Sequence, residues 1–176
     1  MRTRYNIYDK EGIHFISSSI INWLPVFVND MYFNILIESF KYCQRKKKFC
    51  LFAYVLMKNH FHAILSADNL AKFMKEYKSY TARQIVNQLK EDNRNNVLNL
   101  MRINKKKYKT DSIYQVWQEG FHPQLIQGID MFRQKANYIH ENPVRGGYVE
   151  NPEDWKYSSA TNFILGKGLL EIEDIV

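Results

Sequence analysis

The stretch His14 to Ile21, His-Phe-Ile-Ser-Ser-Ser-Ile-Ile, mixes β-branched residues with serines and predicts a strand, followed by a loop around Pro25. Asn29 or Asp30 can then cap a helix carrying Phe33, Leu36, Ile37 and Phe40. That helix dissolves into the basic run Lys41 to Lys48, where positive charge suits the carbonyl end. Phe49 to Met57 is a continuous apolar run of strand length, and Lys58-Asn59 is a tight connection into Phe61-His62-Ala63-Ile64-Leu65, which predicts two adjacent antiparallel strands. From Asn69 the period changes. Leu70, Phe73, Met74, Tyr77 and Ile85 share one side of a helix that runs to about Lys90. The stretch Asp92 to Asp111 sets Arg94, Arg102, Lys105, Lys106, Lys107 and Lys109 around few apolar positions and reads as a mobile basic insertion. Tyr114-Gln115-Val116-Trp117 recovers strand character, and Ile129 to Glu141 is helical until Pro143 stops it. The order β-α-β-β-α-(insert)-β-α predicts an α+β fold with helices packed against an antiparallel sheet. The segment from Trp155 onward is mixed and predicts no clear element.

With 176 residues and 45% apolar content, the chain fits one domain over residues 1–176, with the basic insertion at about 92–111 and a C-terminal extension from about 150. Lys and Arg exceed Asp and Glu by 7 charges, so the surface should attract polyanions. Cys43 and Cys50 have no ligand-spaced partners and form no disulfide framework, which points to a reducing compartment. The longest apolar stretch is about half of the ~20 residues a membrane span needs. A cytoplasmic protein with no membrane partner is expected.

Two clusters can carry chemistry. Alternate strand residues project to one face, so His60 and His62 should stand side by side while Phe61 enters the core behind them. Two such imidazoles can bind a divalent cation, although so short a pair also arises by chance on a half-exposed strand. On the late helix, Phe132, Ala136 and Ile139 make the buried stripe, and Tyr138 and Asn142 fall together on its flank with Lys135 between them. A tyrosine there can face a site or simply pack at the core margin. Asn142 precedes Pro143, which biases it away from helical angles.

His60-Phe61-His62 follows Tyr54-Val55-Leu56-Met57-Lys58-Asn59. Further on come Val116-Trp117-Gln118-Glu119-Gly120-Phe121-His122 and Tyr138-Ile139-His140-Glu141-Asn142-Pro143-Val144-Arg145-Gly146-Gly147-Tyr148-Val149, then Trp155-Lys156-Tyr157-Ser158-Ser159. In this order the motifs resemble the single-tyrosine HUH transposases, closest to the branch called REP-associated tyrosine transposases. The resemblance spans about residues 13–163. It implies a ferredoxin-like (RRM-like) antiparallel sheet with helices packed on one face. It also implies that His60 and His62 are metal ligands, that Asn142 is the third ligand, and that Tyr138 is the nucleophile; Glu141 or a water is the alternative third ligand. Two positions depart from the family pattern: Lys58 stands where proline is frequent and Gly146 where alanine is common.

The function implied is a metal-dependent DNA transposase or nickase that cleaves and rejoins single-stranded DNA, with hairpin DNA as its partner, through a 5′-phosphotyrosine intermediate. The cation expected is Mg²⁺ or Mn²⁺: imidazole ligands shift preference toward Mn²⁺, and abundance favours Mg²⁺. Lys135 can help activate the phenol or can be a solvated surface lysine. Phosphate contacts are expected from Arg45, Lys46, Lys47 and Lys48, from Lys105, Lys106 and Lys107, and from Arg145. Tyr80, Tyr114 or Trp117 can stack on unpaired bases, and His122 either supports the site or sits in a turn beside Pro123. A monomer is favoured over a homodimer. The alternative readings are a catalytically silent hairpin-binding protein on the same fold and an RNA-processing role.

Overall fold

In the computed structural model residues 12–174 are described, so the two ends of the predicted 1–176 domain lie outside the described residues. The serine-rich stretch forms β1 (His14–Ser19), the apolar run forms β2 (Cys50–Leu56), and a turn at residues 57–59 leads into β3 (His60–Ser66). A two-residue strand, β4 (Gln124–Leu125), completes a sheet of order β2-β3-β1-β4 in which all pairs are antiparallel.

Two long helices cover one face. In α1 (Asp30–Arg45) and α2 (Leu70–Glu91) the first turns are capped by Asn29 and Asn69, whose side-chain oxygens accept from Met31 and Tyr32 and from Lys72. Phe33, Leu36, Ile37 and Phe40 of α1 join Phe73, Met74, Tyr77 and Ile85 of α2 over Phe61, Ala63 and Leu65 of β3. Strand alternation then turns His60, His62 and Ile64 to the other face.

That other face is also covered. Phe132, Ala136 and Ile139 of α4 (Ile129–Arg145) pack on Phe15, Ala53, Val55 and Ile64. The α+β antiparallel class stands, while the helices lie on both faces of the sheet instead of one. The reason is in β2: its apolar side chains point both ways, and a strand apolar on both faces needs a cover on each. A register shift between Leu51 and Ala53 lets Leu51 and Tyr54 serve the α1/α2 side while Phe52, Ala53 and Val55 serve the α4 side.

Three segments differ from the sequence expectation. Within the predicted mobile insertion, α3 (Asn95–Ile103) packs against α2 and buries Leu98 and Met101. The predicted strand at residues 114–117 lies in the right place but is not a regular element: Trp117 makes an isolated bridge to Ile20, and the Gln118 N–H donates to the Ser19 carbonyl at 2.8 Å. Left-handed backbone at Gly120 (φ 75°) and His122 (φ 46°) interrupts pairing along β1 before β4 resumes it. Finally, Pro143 does not stop α4, which runs on to Arg145. So close to the helix end proline removes one N–H and little else, and the Gly146 N–H still closes onto the Asn142 carbonyl at 2.9 Å.

The C-terminal segment runs along the outer edge of β2. The Leu56 N–H donates to the Tyr157 carbonyl, the Ser159 N–H to the Tyr54 carbonyl, and the Glu173 N–H to the Leu51 carbonyl, at 2.7–2.9 Å. Between them lies the short helix α5 (Ala160–Leu165). Among the described residues no helix is long and apolar enough to cross a membrane.

Candidate active site

The apolar stripe of α4 covers Ile64, leaving His62 and His60 at the end of β3 beneath the flank of the helix. There they line a cleft of about 870 Å³ with Ser17, Tyr138, Asn142 and Arg145. The two imidazoles stand side by side, ring centres 4.9 Å apart, with Phe61 fully buried behind them. The Tyr138 ring lies edge-on to His62 at 5.3 Å and remains 39% exposed, so the phenol belongs to both the helix flank and the cleft. Phe15 stacks on His62 at 5.5 Å and meets Tyr138 at 6.0 Å, so the three rings form one cluster.

Each histidine is held through Nδ1. Ser17, opposite His62 in the β1/β3 register, brings its hydroxyl to 2.5 Å from His62 Nδ1, and Asn59 Oδ1 lies 2.7 Å from His60 Nδ1. Burial pushes the His62 pKa down to about 3, helped by His60, Arg145 and Lys135. Burial also lowers His60, against a hydrogen bond to Asn142 that favours its charged form. Both rings are therefore neutral at physiological pH and keep lone pairs that a cation can use.

The donor set fits a divalent cation that takes nitrogen and oxygen ligands. Among the described residues no three His, Cys, Asp or Glu side chains gather to hold a metal. Asn142, the third ligand that the resemblance implies, lines the same cleft: continuation of α4 through Pro143 keeps it one turn beyond Tyr138, in contact with His60. Glu141 is exposed and does not line the cleft.

The Arg145 guanidinium stacks over the Tyr138 ring at 4.4 Å, and the Lys135 ammonium sits 4.8 Å from the centre of the Phe15 ring. His122 also lines the cleft. The other basic residues expected to contact phosphate do not. Arg45, Lys46, Lys47 and Lys48 are exposed at the end of α1, where Arg45 and Lys48 border a groove between α1 and α2; Lys105, Lys106 and Lys107 follow α3. Of the stacking residues named from sequence, Tyr80 is exposed, whereas Trp117 is buried and gives its indole N–H to Thr81. Sequence reasoning passed over Ser17, Asn59 and Trp23, whose ring meets His60 at 5.7 Å.

Fold and cleft together define a four-stranded α+β protein in which a strand-borne imidazole pair faces a helix-borne tyrosine. Residues 13–119, more than half of the chain, match the family described as IS200-like transposases, and the chain belongs to that family. The matched stretch takes in His60 and His62 and ends before Tyr138. A Haemophilus influenzae protein provisionally named a REP-associated tyrosine transposase is 26% identical over 156 residues, which cover 86% of this chain and 81% of the relative. A solved structure of a REP-associated tyrosine transposase bound to a REP hairpin shares the fold, with a TM-score of 0.68 at 20% identity, over 100% of this chain and 92% of that one.

Proposed function

We propose that this chain cleaves and rejoins single-stranded DNA at hairpin-bearing sites, with Tyr138 as nucleophile and with Mg²⁺ or Mn²⁺ held by His60, His62 and Asn142. The observation that carries this reading is the meeting of the Tyr138 and His62 rings, 5.3 Å apart, in one cleft with His60 and Asn142. Membership of the transposase family supports the reaction class, and the fold shared with a hairpin-bound transposase supports hairpin DNA as the substrate.

Bound at that site, the cation would supply Lewis-acid stabilisation of charge on the scissile phosphate. The phenol oxygen of Tyr138 forms the new bond to phosphorus as the bond to the 3′-oxygen breaks. Its proton leaves to solvent and the departing 3′-oxygen takes one up. The products are a tyrosine joined to the 5′-phosphate and a free 3′-hydroxyl, and attack by a different 3′-hydroxyl reverses the step and rejoins strands without external energy. Arg145, stacked on the nucleophile, supplies positive charge where the phosphates approach. Ser17 and Asn59 orient the imidazoles. The exposed cations Arg45 to Lys48, Lys106 and Lys107, with the half-buried Lys105, contribute sequence-independent affinity. A monomer is the assembly that suits this reading, because residues 157–173 line the β2 edge of the sheet and the opposite edge strand, β4, is only two residues long.

The test is a labelled single-stranded hairpin DNA incubated with protein and Mg²⁺ or Mn²⁺. A covalent protein–DNA adduct is expected from the wild type and none from Tyr138→Phe. Tight binding with no adduct under either cation would identify a hairpin-binding protein without this chemistry.

A further inference from the structure

Lys78 of α2 is 3% exposed, an unusual place for an ammonium group. It reaches away from α2 to the irregular segment beside β1, donating to the Gln118 carbonyl at 2.8 Å and to the Gly120 carbonyl at 2.6 Å. Neither partner is a carboxylate. Glu119, between the two, is instead engaged by Lys109 at 3.6 Å and by the Tyr108 hydroxyl. Burial lowers the Lys78 pKa to about 7, with Lys109 adding to the shift and Glu119 opposing it. An apolar side chain would fill such a position at less electrostatic cost, so the lysine is poorly explained by stability alone.

The segment that Lys78 grips lines the cleft through Gln118, Glu119, Gly120 and His122. It holds two left-handed residues within three positions, Gly120 at φ 75° and His122 at φ 46°, the second directly before Pro123. Glycine adopts such backbone freely, but at His122 it persists only where its surroundings over-determine it. Here the anchors are the two carbonyls on Lys78 and the Phe121 carbonyl, which accepts from the Ser17 N–H at 2.9 Å. Ser17 in turn holds His62 through its hydroxyl. One run of contacts thus leads from α2, through the sheet edge, to the imidazole beside Tyr138.

We propose that Lys78 is a positioning residue for strand transfer: it fixes residues 118–122, and through Phe121 and Ser17 the His62 ring, so that the DNA strand is held against a rigid wall facing Tyr138. This inference rests on the strand-transfer reading above. Loss of the grip should act on rate more than on affinity. Affinity is spread over many exposed cations, whereas a displacement of about 1 Å at a reacting centre costs on the order of a hundredfold in rate.

Wild type, Lys78→Met and Lys78→Gln are compared with labelled hairpin DNA and Mn²⁺ at saturating DNA, with folding checked by thermal melting and DNA affinity measured separately by anisotropy. Lys78→Gln keeps one donor and carries the test if the methionine variant does not fold. The expected result is adduct formation slowed at least fivefold with Kd changed by less than threefold. A smaller slowing, or one matched by an equal loss of affinity, overturns the assignment. If the wild type itself forms no adduct, the strand-transfer reading fails and this inference falls with it. A wild-type adduct with variants as fast as wild type removes only the role given to Lys78.

Discussion

Replacing Ser159 with alanine removes one oxygen that serves two buried groups. The hydroxyl lies 2.9 Å from the backbone nitrogen of Tyr54 in β2 and 2.9 Å from Nε2 of His140 in α4. Ser159 is fully buried and His140 nearly so, and burial holds the His140 pKa down to about 4. The hydroxyl accepts from the Tyr54 N–H and pairs with the neutral ring at Nε2, with the Tyr54 carbonyl at 3.3 Å as a further acceptor for its proton, pinning α4 to the edge of the sheet two residues beyond Tyr138. Alanine leaves an N–H and an imidazole nitrogen buried and unpaired, at about 1–3 kcal/mol each, so the loss should reach ~2–6 kcal/mol. For a chain of this length each kcal/mol moves Tm by roughly 2–4 °C, which predicts a fall of at least about 4 °C. Thermal and urea unfolding followed by circular dichroism read it directly, with the urea m-value unchanged. In a His140→Leu background the same substitution should cost less, because only the Tyr54 N–H is then stranded. A coupling on the order of 1 kcal/mol is expected from the double-mutant cycle. Ser159→Ala melting within about 2 °C of wild type would refute the reasoning.

Three further outcomes test other parts of the structure. His62 and His140 have folded-state pKa values lowered from 6.5 to about 3 and about 4, so between those values and 6.5 the unfolded chain binds more protons than the folded one. The stability this provides is complete above pH 6.5 and is lost as pH falls. Urea titrations should show a decline on the order of 2–4 kcal/mol between pH 7 and pH 5, and a flat profile over that range would contradict the burial of these rings. Met101→Ala in α3 should destabilise by about 2–5 kcal/mol, because the side chain is fully buried; a mobile insertion would show no change on melting. Ser17→Ala should weaken Mn²⁺ binding by about 10–100-fold in calorimetry by freeing the His62 ring, and unchanged affinity would remove Ser17 from the site.

How far this architecture could be read from the chain depends on the distance over which each signal acts. The His60/His62 pair is a two-residue relationship and the Tyr138/Asn142 pair a four-residue one, so strand and helix periods alone put each pair on one face. The caps at Asn29 and Asn69 are equally local, and the helices they start were expected where they occur. The continuous apolar run of β2 already implied two covered faces, although only the packing of α4 shows what covers the second. Other features depend on contacts that no local period encodes. The helix at residues 95–103 has only Leu98 and Met101 buried within a basic stretch, and its order comes from α2. Residues 114–117 have the composition of a strand, but Gly120 and His122 set the limit on pairing. Ser17 meets His62 across 45 positions, and Lys78, spaced like any solvated helix lysine, meets Gln118 across 40. Groups able to react thus stand out in short-range spacing, while the residues that hold them in place emerge only from strand register. For that reason the same two histidines on a strand slipped by one residue would turn together away from the tyrosine and do no chemistry.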